Sequence, residues 1–181
     1  VAVNHIWMRH FGTPLVESVF DFGPRAKEPL HRDILDTLAA EFMKSDWSMK
    51  HLHKRIVMSE AYQRASTTLN ADARTLKADA ANAYHWRMNP RRMESQLVRD
   101  NLLYLAGTLD DKIGGVAVAA NAKSNRRSIY FRHSRDDVQK FLSMFDDADF
   151  LQCYRRSESV VPQQALALSN SADSLASAER I

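Results

Sequence analysis

Apolar residues recur at helical spacing in several stretches of the chain, and polar or small residues separate those stretches. The pattern predicts helices over residues 1–11, 31–44, 48–63, 90–106, 134–145 and 162–168. Alternation of apolar and polar side chains over residues 128–132 predicts one short strand. The expected fold class is therefore mainly α: an irregular helical domain of about five to six helices, with long ordered loops and at most a short strand pair.

Two long segments lack this spacing. Residues 13–29 are rich in proline and glycine, which predicts an extended, ordered loop. Its apolar residues should hold the loop against the core: Leu15, Val16, Val19, Phe20 and Phe22. Residues 64–83 are polar and rich in alanine, so either a long surface loop or a weak, exposed helix is expected there.

The predicted helix over residues 90–106 has the clearest boundaries. Asn89 suits the N-cap, Pro90 the first helical position, and Gly107 the position after the last turn. Six apolar residues share one arc that should face the core: Met93, Leu97, Val98, Leu102, Tyr104 and Leu105. Four polar residues form the opposite, solvent-facing side, with Leu103 as an outlier among them: Arg92, Gln96, Arg99 and Asp100.

Glu94 falls inside the apolar arc, where a carboxylate needs a charged or hydrogen-bonding partner. Two interpretations remain open. Either Glu94 is half exposed beside solvated arginines, or it pairs with an arginine from elsewhere in the chain. Arg91 and Arg92 lie in the first predicted turn, where the helix dipole disfavours cations by up to roughly 1 kcal/mol.

Arginines recur in adjacent pairs, each at the boundary of a predicted element. Guanidinium groups bind carboxylates, phosphate or sulfate through two parallel hydrogen bonds. The pairs either lock irregular segments to the helices through internal carboxylates or form a pocket for an anionic ligand, and both need the same residue types. The candidate polar cluster comprises Arg91, Arg92, Glu94, Arg99, Asp100, Arg126, Arg127, Asp146, Arg155, Arg156 and Gln163.

Candidate acid–base groups are few. His53 lies on the inner face of the predicted helix over residues 48–63, where it is either a hydrogen-bonded core residue or a catalytic group. Glu94 is the second acid–base candidate. No two histidines have the i, i+4 spacing that binds a metal on one helix, so no metal site is expected.

Composition narrows the classes of function. With 45% hydrophobic and 26% charged residues, the 181-residue chain is expected to form a single domain over residues 1–181. A net charge of +3 does not indicate a nucleic-acid binder, and no apolar run approaches the roughly 18 residues of a membrane span. Cys153 is the only cysteine, which excludes an intrachain disulfide. Because the chain starts at Val1, we expect a fragment of a larger multidomain protein.

An ordered series of short motifs runs through almost the whole chain. It includes Val3-Asn-His-Ile-Trp7, His10-Phe-Gly12, Asp21-Phe-Gly23, Trp86-Arg-Met88, Arg91-Arg92, Glu94, Arg99-Asp100, Gly114-Gly115, Arg127-Ser128 and Pro162-Gln-Gln-Ala-Leu-Ala-Leu168. Together these motifs resemble the C-terminal domain of unknown function 1553 of planctomycete cytochrome-c-type multidomain proteins. The sequence departs from that pattern at Glu60, Gln163 and Ser169.

The resemblance implies a context more than an activity. Such domains follow a haem-binding, cytochrome-c-like domain in exported proteins, which implies an extracytoplasmic location and the upstream domains as partners. The 181 residues contain no Cys-x-x-Cys-His motif, so no cofactor is expected in this segment and any haem c would belong upstream. A scaffold or interaction domain is the first hypothesis. The alternative is an enzyme or binding domain for an anionic ligand such as a sulfated carbohydrate.

Overall fold

A computed structural model describes residues 1–69, 71–151 and 156–181. The chain forms two compact units, unit 1 over Val1–Arg91 and unit 2 over Arg92–Ile181. The mainly helical class with long loops is confirmed, since the described residues contain nine α-helices, one short 3-10 turn and no strand. The expectation of one domain over residues 1–181 stays a prediction.

Unit 1 is built on three helices that pack against one another: α1 (Ala2–Phe11), α2 (Arg32–Lys44) and α3 (Met49–Val57). Two short helices follow, α4 (Glu60–Gln63) and α5 (Ala73–Ala78). The buried core draws on each of the three longer helices and on the loop after α1: Val3, Ile6, Trp7, Phe11, Leu15, Phe42, Leu52 and Ile56. The described residues of this stretch, 64–69 and 71–83, combine the two predicted alternatives, because they are loop apart from the short, mostly exposed α5.

Local capping signals place the ends of these helices. Gly12 ends α1 with a left-handed φ of 80°, as the glycine predicts. Ser48 caps α3 by accepting a hydrogen bond from the His51 amide. The predicted helix over residues 48–63 is interrupted, because the Ser59 hydroxyl accepts from the Tyr62 amide and starts α4 as a new helix.

Asn4 of α1 anchors the loop over residues 13–29. The Asn4 amide is fully buried; it donates to the Val16 carbonyl at 3.1 Å and accepts from the Val16 amide at 2.8 Å. Leu15, Val16 and Val19 are buried, as predicted. The same prediction is wrong for two aromatic residues beyond this anchor, because the chain has left the core there and exposes Phe20 and Phe22.

Unit 2 contains four helices among its described residues: α6 (Ser95–Leu105), α7 (Lys140–Met144), α8 (Pro162–Asn170) and α9 (Ala172–Ala178). Pro162 starts α8 at its first position, as predicted. Helix α6 packs against α7, α9 and the 3-10 turn Ser128–Tyr130. A small apolar core lies between α6, α7 and α8: Phe141, Leu142, Phe145 and Ala167, with Val98 and Leu102 against it.

Several predicted boundaries in this half of the chain are wrong. Helix α6 begins at Ser95 with Glu94 as its N-cap, and not at Pro90. The Asn89 amide is instead engaged within unit 1, where it donates to the Phe11 carbonyl. The strand predicted over residues 128–132 is absent: Ser128–Tyr130 is a 3-10 turn, and Phe131 makes an isolated bridge to Val118. Helix α7 begins at Lys140, because the Gln139 side chain caps it by accepting from the Leu142 amide.

The buried face of α6 is also the reverse of the predicted one. Ser95, Arg99, Asp100 and Leu103 are buried, while the predicted apolar arc leaves four of its members exposed: Met93, Leu97, Tyr104 and Leu105. Only Val98 and Leu102 keep the expected contact with the core. A polar face can be buried when hydrogen bonds replace its water contacts, and those bonds define the site.

Candidate functional site

Arg99 is the centre of the buried polar face of α6. Its side chain is 3% exposed, and the guanidinium donates to the Arg126 carbonyl at 3.0 Å, to the Ser128 hydroxyl at 3.3 Å and to the Ser124 carbonyl. The same group lies 4.8 Å from the centre of the Phe131 ring. Burial lowers the pKa of Arg99, while Asp173 and Asp100 oppose that shift. Arg99 therefore ties the segment over residues 124–128 to α6.

Asp100 reinforces the same attachment from the neighbouring position. One carboxylate oxygen accepts from the Ser128 amide at 2.7 Å and from the Ser128 hydroxyl at 2.6 Å. Its other oxygen faces the Arg127 Nε at 3.9 Å. Hydrogen bonds to a charged group are worth about 1.5–3 kcal/mol each, so this pair should stabilise the 3-10 turn strongly.

Arg126 braces a loop of unit 2 through hydrogen bonds to its backbone. Its guanidinium donates to the carbonyls of Lys112, Gly114 and Val116 and lies 3.9 Å from the centre of the Tyr130 ring. The glycine loop over residues 112–116 is thus closed around the Arg126 guanidinium.

A cleft of about 390 Å³ lies beside α6, and we call it the α6 cleft. Charged and polar side chains line part of it: Glu94, Gln96, Arg132, His133, Asp147 and Arg156. Apolar residues, among them Leu97 and Ile129, line the rest. The side chains come from the first turn of α6, the chain after the 3-10 turn and the segment after α7.

Asp147 organises the polar end of the α6 cleft. Its Oδ1 accepts from the Gln96 amide at 2.5 Å and from the Ala148 backbone amide at 2.7 Å. Its Oδ2 faces the His133 Nδ1 at 3.4 Å. The His133 Nε2 contacts the Ala148 carbonyl at 2.7 Å, so the imidazole is held on both sides.

Arg156 joins the two carboxylates of the cleft. Its Nη1 donates to the side-chain oxygen Oε1 of Gln96 at 2.7 Å, and its Nη2 lies 3.6 Å from a Glu94 oxygen. Nη1 also lies 4.0 Å from Asp147. Of the two interpretations of Glu94, the structure therefore contains the pairing with a distant arginine. Glu94 makes this contact with Arg156 from the N-cap position of α6, and not from a buried face of the helix.

A third set of contacts joins the start of unit 2 to α8. Arg92 donates to the Gln164 side-chain oxygen, and the Gln164 amide donates to the Ser159 hydroxyl at 3.2 Å. The Ser159 hydroxyl and backbone amide both donate to Asp146, at 2.8 and 2.7 Å. Gln164 is buried, whereas the neighbouring Gln163, named from the sequence, is exposed.

Two of the named residues lie in unit 1. Arg91 donates to the Arg9 carbonyl, and its side chain packs over Gly12. His53 shares a hydrogen bond with His10, with Nδ1 and Nε2 2.7 Å apart. Burial is the largest cause that lowers the pKa of His10, and the charges of His53 and Arg91 lower it further. Same-helix spacing cannot reveal this histidine pair, because it joins α1 to α3.

The sequence-named cluster is thus divided among several sets of contacts. Arg99, Asp100 and Arg127 meet around Ser128, whereas the Arg126 side chain holds the loop over residues 112–116. Glu94 and Arg156 meet in the α6 cleft, and Arg92 and Asp146 are linked through Gln164 and Ser159. Arg155 and Cys153 lie outside the described residues. The sequence did not identify Gln96, His133, Asp147 or Gln164, because each acquires its role from a partner more than 14 residues away or from burial.

Over residues 1–69, 71–151 and 156–181, no three His, Cys, Asp or Glu side chains are grouped so that they could hold a metal ion. In the same ranges, no helix has the length and apolar content needed to cross a bilayer.

Comparison with known protein families places the chain in one of them. A family model described as "PSD1: Protein of unknown function (DUF1553)" matches residues 1–181, and so includes both units. No curated protein and no solved structure matches the chain.

Proposed function

Since the chain belongs to the PSD1 family of proteins of unknown function (DUF1553), we propose a role from its geometry: a non-catalytic scaffold or interaction domain of an exported cytochrome-c-type protein. Its partners are the upstream domains of the same polypeptide, and its location is extracytoplasmic. Any haem c is carried upstream, because a single cysteine cannot form a Cys-x-x-Cys-His attachment motif. One observation supports the proposal: the guanidinium groups of Arg99, Arg126 and Arg156 donate hydrogen bonds to other residues of the same chain.

The arginine contacts favour a structural role over ligand binding. Arg99 and Arg126 donate to backbone carbonyls, and Arg156 donates to the Gln96 side chain. A ligand would have to replace these bonds, each worth about 1 kcal/mol net or more for a charged donor. A network that rigidifies irregular segments suits a domain whose task is to present a surface.

An apolar groove in unit 1 supports the docking part of the proposal. It measures about 300 Å³, and its walls include Val3, Phe22, Phe42, Met43 and Trp47. Trp47 is 62% exposed and meets the edge of Phe42, with ring centroids 5.3 Å apart. Exposed aromatic residues beside an apolar groove are typical of protein–protein contacts.

A calorimetric titration tests the proposal, with the 181-residue chain in the cell and the separately produced upstream domains of its polypeptide in the syringe. We expect saturable binding, and we expect Trp47→Ala to weaken it by about tenfold or more, as for a tryptophan hot spot. Tyr104→Ala truncates an exposed aromatic of α6 outside the groove and should leave the affinity unchanged. Absence of binding, or an equal loss in both variants, would contradict the proposal.

A second candidate function is an enzyme or binding domain for an anionic ligand such as a sulfated carbohydrate. It draws on the α6 cleft, where Arg132, His133 and Arg156 supply cationic or titratable groups beside the Glu94 carboxylate. Titration with inorganic sulfate and with a sulfated monosaccharide tests it. This function requires saturable binding that weakens as salt is added, and Arg156→Gln should remove that binding.

A further inference from the structure

We propose that the exposed apolar side of α6 is a contact surface between two copies of this chain. The surface consists of five uncharged residues, which we call the α6 stripe: Met93, Leu97, Asn101, Tyr104 and Leu105. The contact goes beyond the docking role proposed for unit 1 and does not depend on it, because every residue of the stripe belongs to unit 2.

Helix α6 turns its large apolar side chains outward. Leu97, Tyr104 and Leu105 are 48%, 69% and 64% exposed, while the polar side of the helix is buried. These residues lie at helical spacing, so they follow one line along α6. The Asn101 Nδ2 lies 3.1 Å from the Met93 sulfur, which places Met93 on the same line. An amphipathic helix that exposes its apolar side offers that side to a partner.

The charge pattern favours a second copy as that partner. In a two-fold symmetric contact each residue meets its own counterpart or its symmetry mate, so charged residues there would face like charges. The α6 stripe contains no charged residue. Glu94 and Asp100, which border it on the helix, are engaged elsewhere: Glu94 pairs with Arg156, and Asp100 accepts from Ser128. Two stripes can therefore meet without charge repulsion.

Asn101 defines the register of such a pair. With the two-fold axis at Asn101, antiparallel α6 helices place Leu97 of one copy against Leu105 of the other, since each leucine lies four residues from Asn101. One asparagine among apolar contact positions specifies the register of paired helices. Its Nδ2 stays on the Leu97 carbonyl at 2.8 Å, while no described residue donates to its Oδ1. The Tyr104 hydroxyl of the second copy, one turn away, can donate to that oxygen.

The size of the stripe predicts a weak, reversible dimer. A stable interface buries about 800 Å² on each partner, which is more than one side of the 11-residue α6 offers. Burial of the leucines and of Tyr104 supplies the driving force. We expect a dimer Kd on the order of 10–100 µM, in the range of small, transient contacts.

Sedimentation velocity of the 181-residue chain from about 5 to about 500 µM brackets that Kd, and we expect a monomer–dimer equilibrium. Asn101→Asp and Asn101→Lys each place like charges across the axis, so each variant should raise the Kd by about tenfold or more. An equimolar mixture of the two variants should recover the dimer, because the charges are then opposite. The exposed Asn121 lies outside the stripe, so Asn121→Asp should dimerise like the unchanged chain. Recovery in the mixture also shows that both Asn101 variants are folded.

Four outcomes would overturn the inference. The chain could stay monomeric at every concentration, or its dimer could persist in both Asn101 variants. The mixture could fail to recover the dimer although far-UV circular dichroism shows both variants folded. Finally, a monomeric chain whose binding to the upstream domains is weakened by Asn101→Asp would assign the stripe to that partner. Trp47→Ala tests the docking groove and should leave the dimer unchanged, so the failure of either proposal is visible separately.

Discussion

Replacing Arg99 by methionine removes a buried guanidinium while keeping a long, unbranched side chain. Three acceptors lose their donor: the Arg126 carbonyl, the Ser128 hydroxyl and the Ser124 carbonyl. Asp100 also loses a cation 3.9 Å away, although it keeps the Ser128 amide and hydroxyl as donors. The perturbation therefore acts on hydrogen bonds and charge more than on packing volume.

The size of the effect follows from these contacts. Three hydrogen bonds at about 1 kcal/mol each, with their acceptors left in buried or half-buried positions, give a loss of about 3 kcal/mol. Removing one member of a buried ion pair costs roughly 3–5 kcal/mol, while methionine avoids the desolvation of a cation and offsets part of that loss. We expect Arg99→Met to lower the free energy of unfolding by about 3 kcal/mol, a large share of the 5–15 kcal/mol typical of a domain.

Urea denaturation followed by far-UV circular dichroism measures this loss, and hydrogen exchange of an α6 peptide locates it in unit 2. Arg55→Met is the control, because Arg55 makes a bidentate pair with Glu41 at 2.8 and 3.1 Å but on an exposed surface. Water screens such pairs, so the control should show little measurable change. If Arg99→Met lost less than about 1 kcal/mol, or no more than the control, the structural role assigned to the arginines would be refuted.

Three further predictions concern single positions. Gln164→Ala should lower the free energy of unfolding by about 2 kcal/mol, because it removes a buried side chain that is hydrogen-bonded to the half-buried Arg92 and Ser159. Gln163→Ala should be nearly neutral, and equal effects in urea denaturation would disprove this. Gly12→Ala should lose roughly 1–2 kcal/mol, since φ is +80° there, and an unchanged midpoint would contradict it. Because burial lowers the pKa of His10 below 6.5, the unfolded state protonates first as pH falls. The stability that the neutral His10 contributes to the folded state is therefore complete above pH 6.5 and is lost as the pH falls below that value. His10→Gln should flatten the acid side of a plot of unfolding free energy against pH, and an unaltered slope would count against the argument.

The candidate site could be anticipated in residue type but not in arrangement. Arginine–carboxylate pairing is predictable from the repeated arginines, and the Glu94–Arg156 contact realises one of the two alternatives for Glu94. The division into separate sets of contacts was not predictable, because Ser128, Asp147 and Gln164 are ordinary polar residues until distant segments approach them.

Sequence by itself determined the mainly helical class and those helix ends that depend on a few adjacent residues. Gly12, Ser48 and Pro162 act within one turn of their own helix, so their effect needs no tertiary partner. Tertiary structure alone decided which side of α6 is buried. Helical periodicity assigns Arg99 and Asp100 to water, but carbonyl and hydroxyl partners from residues 124–128 replace that water and make the polar side the inner one.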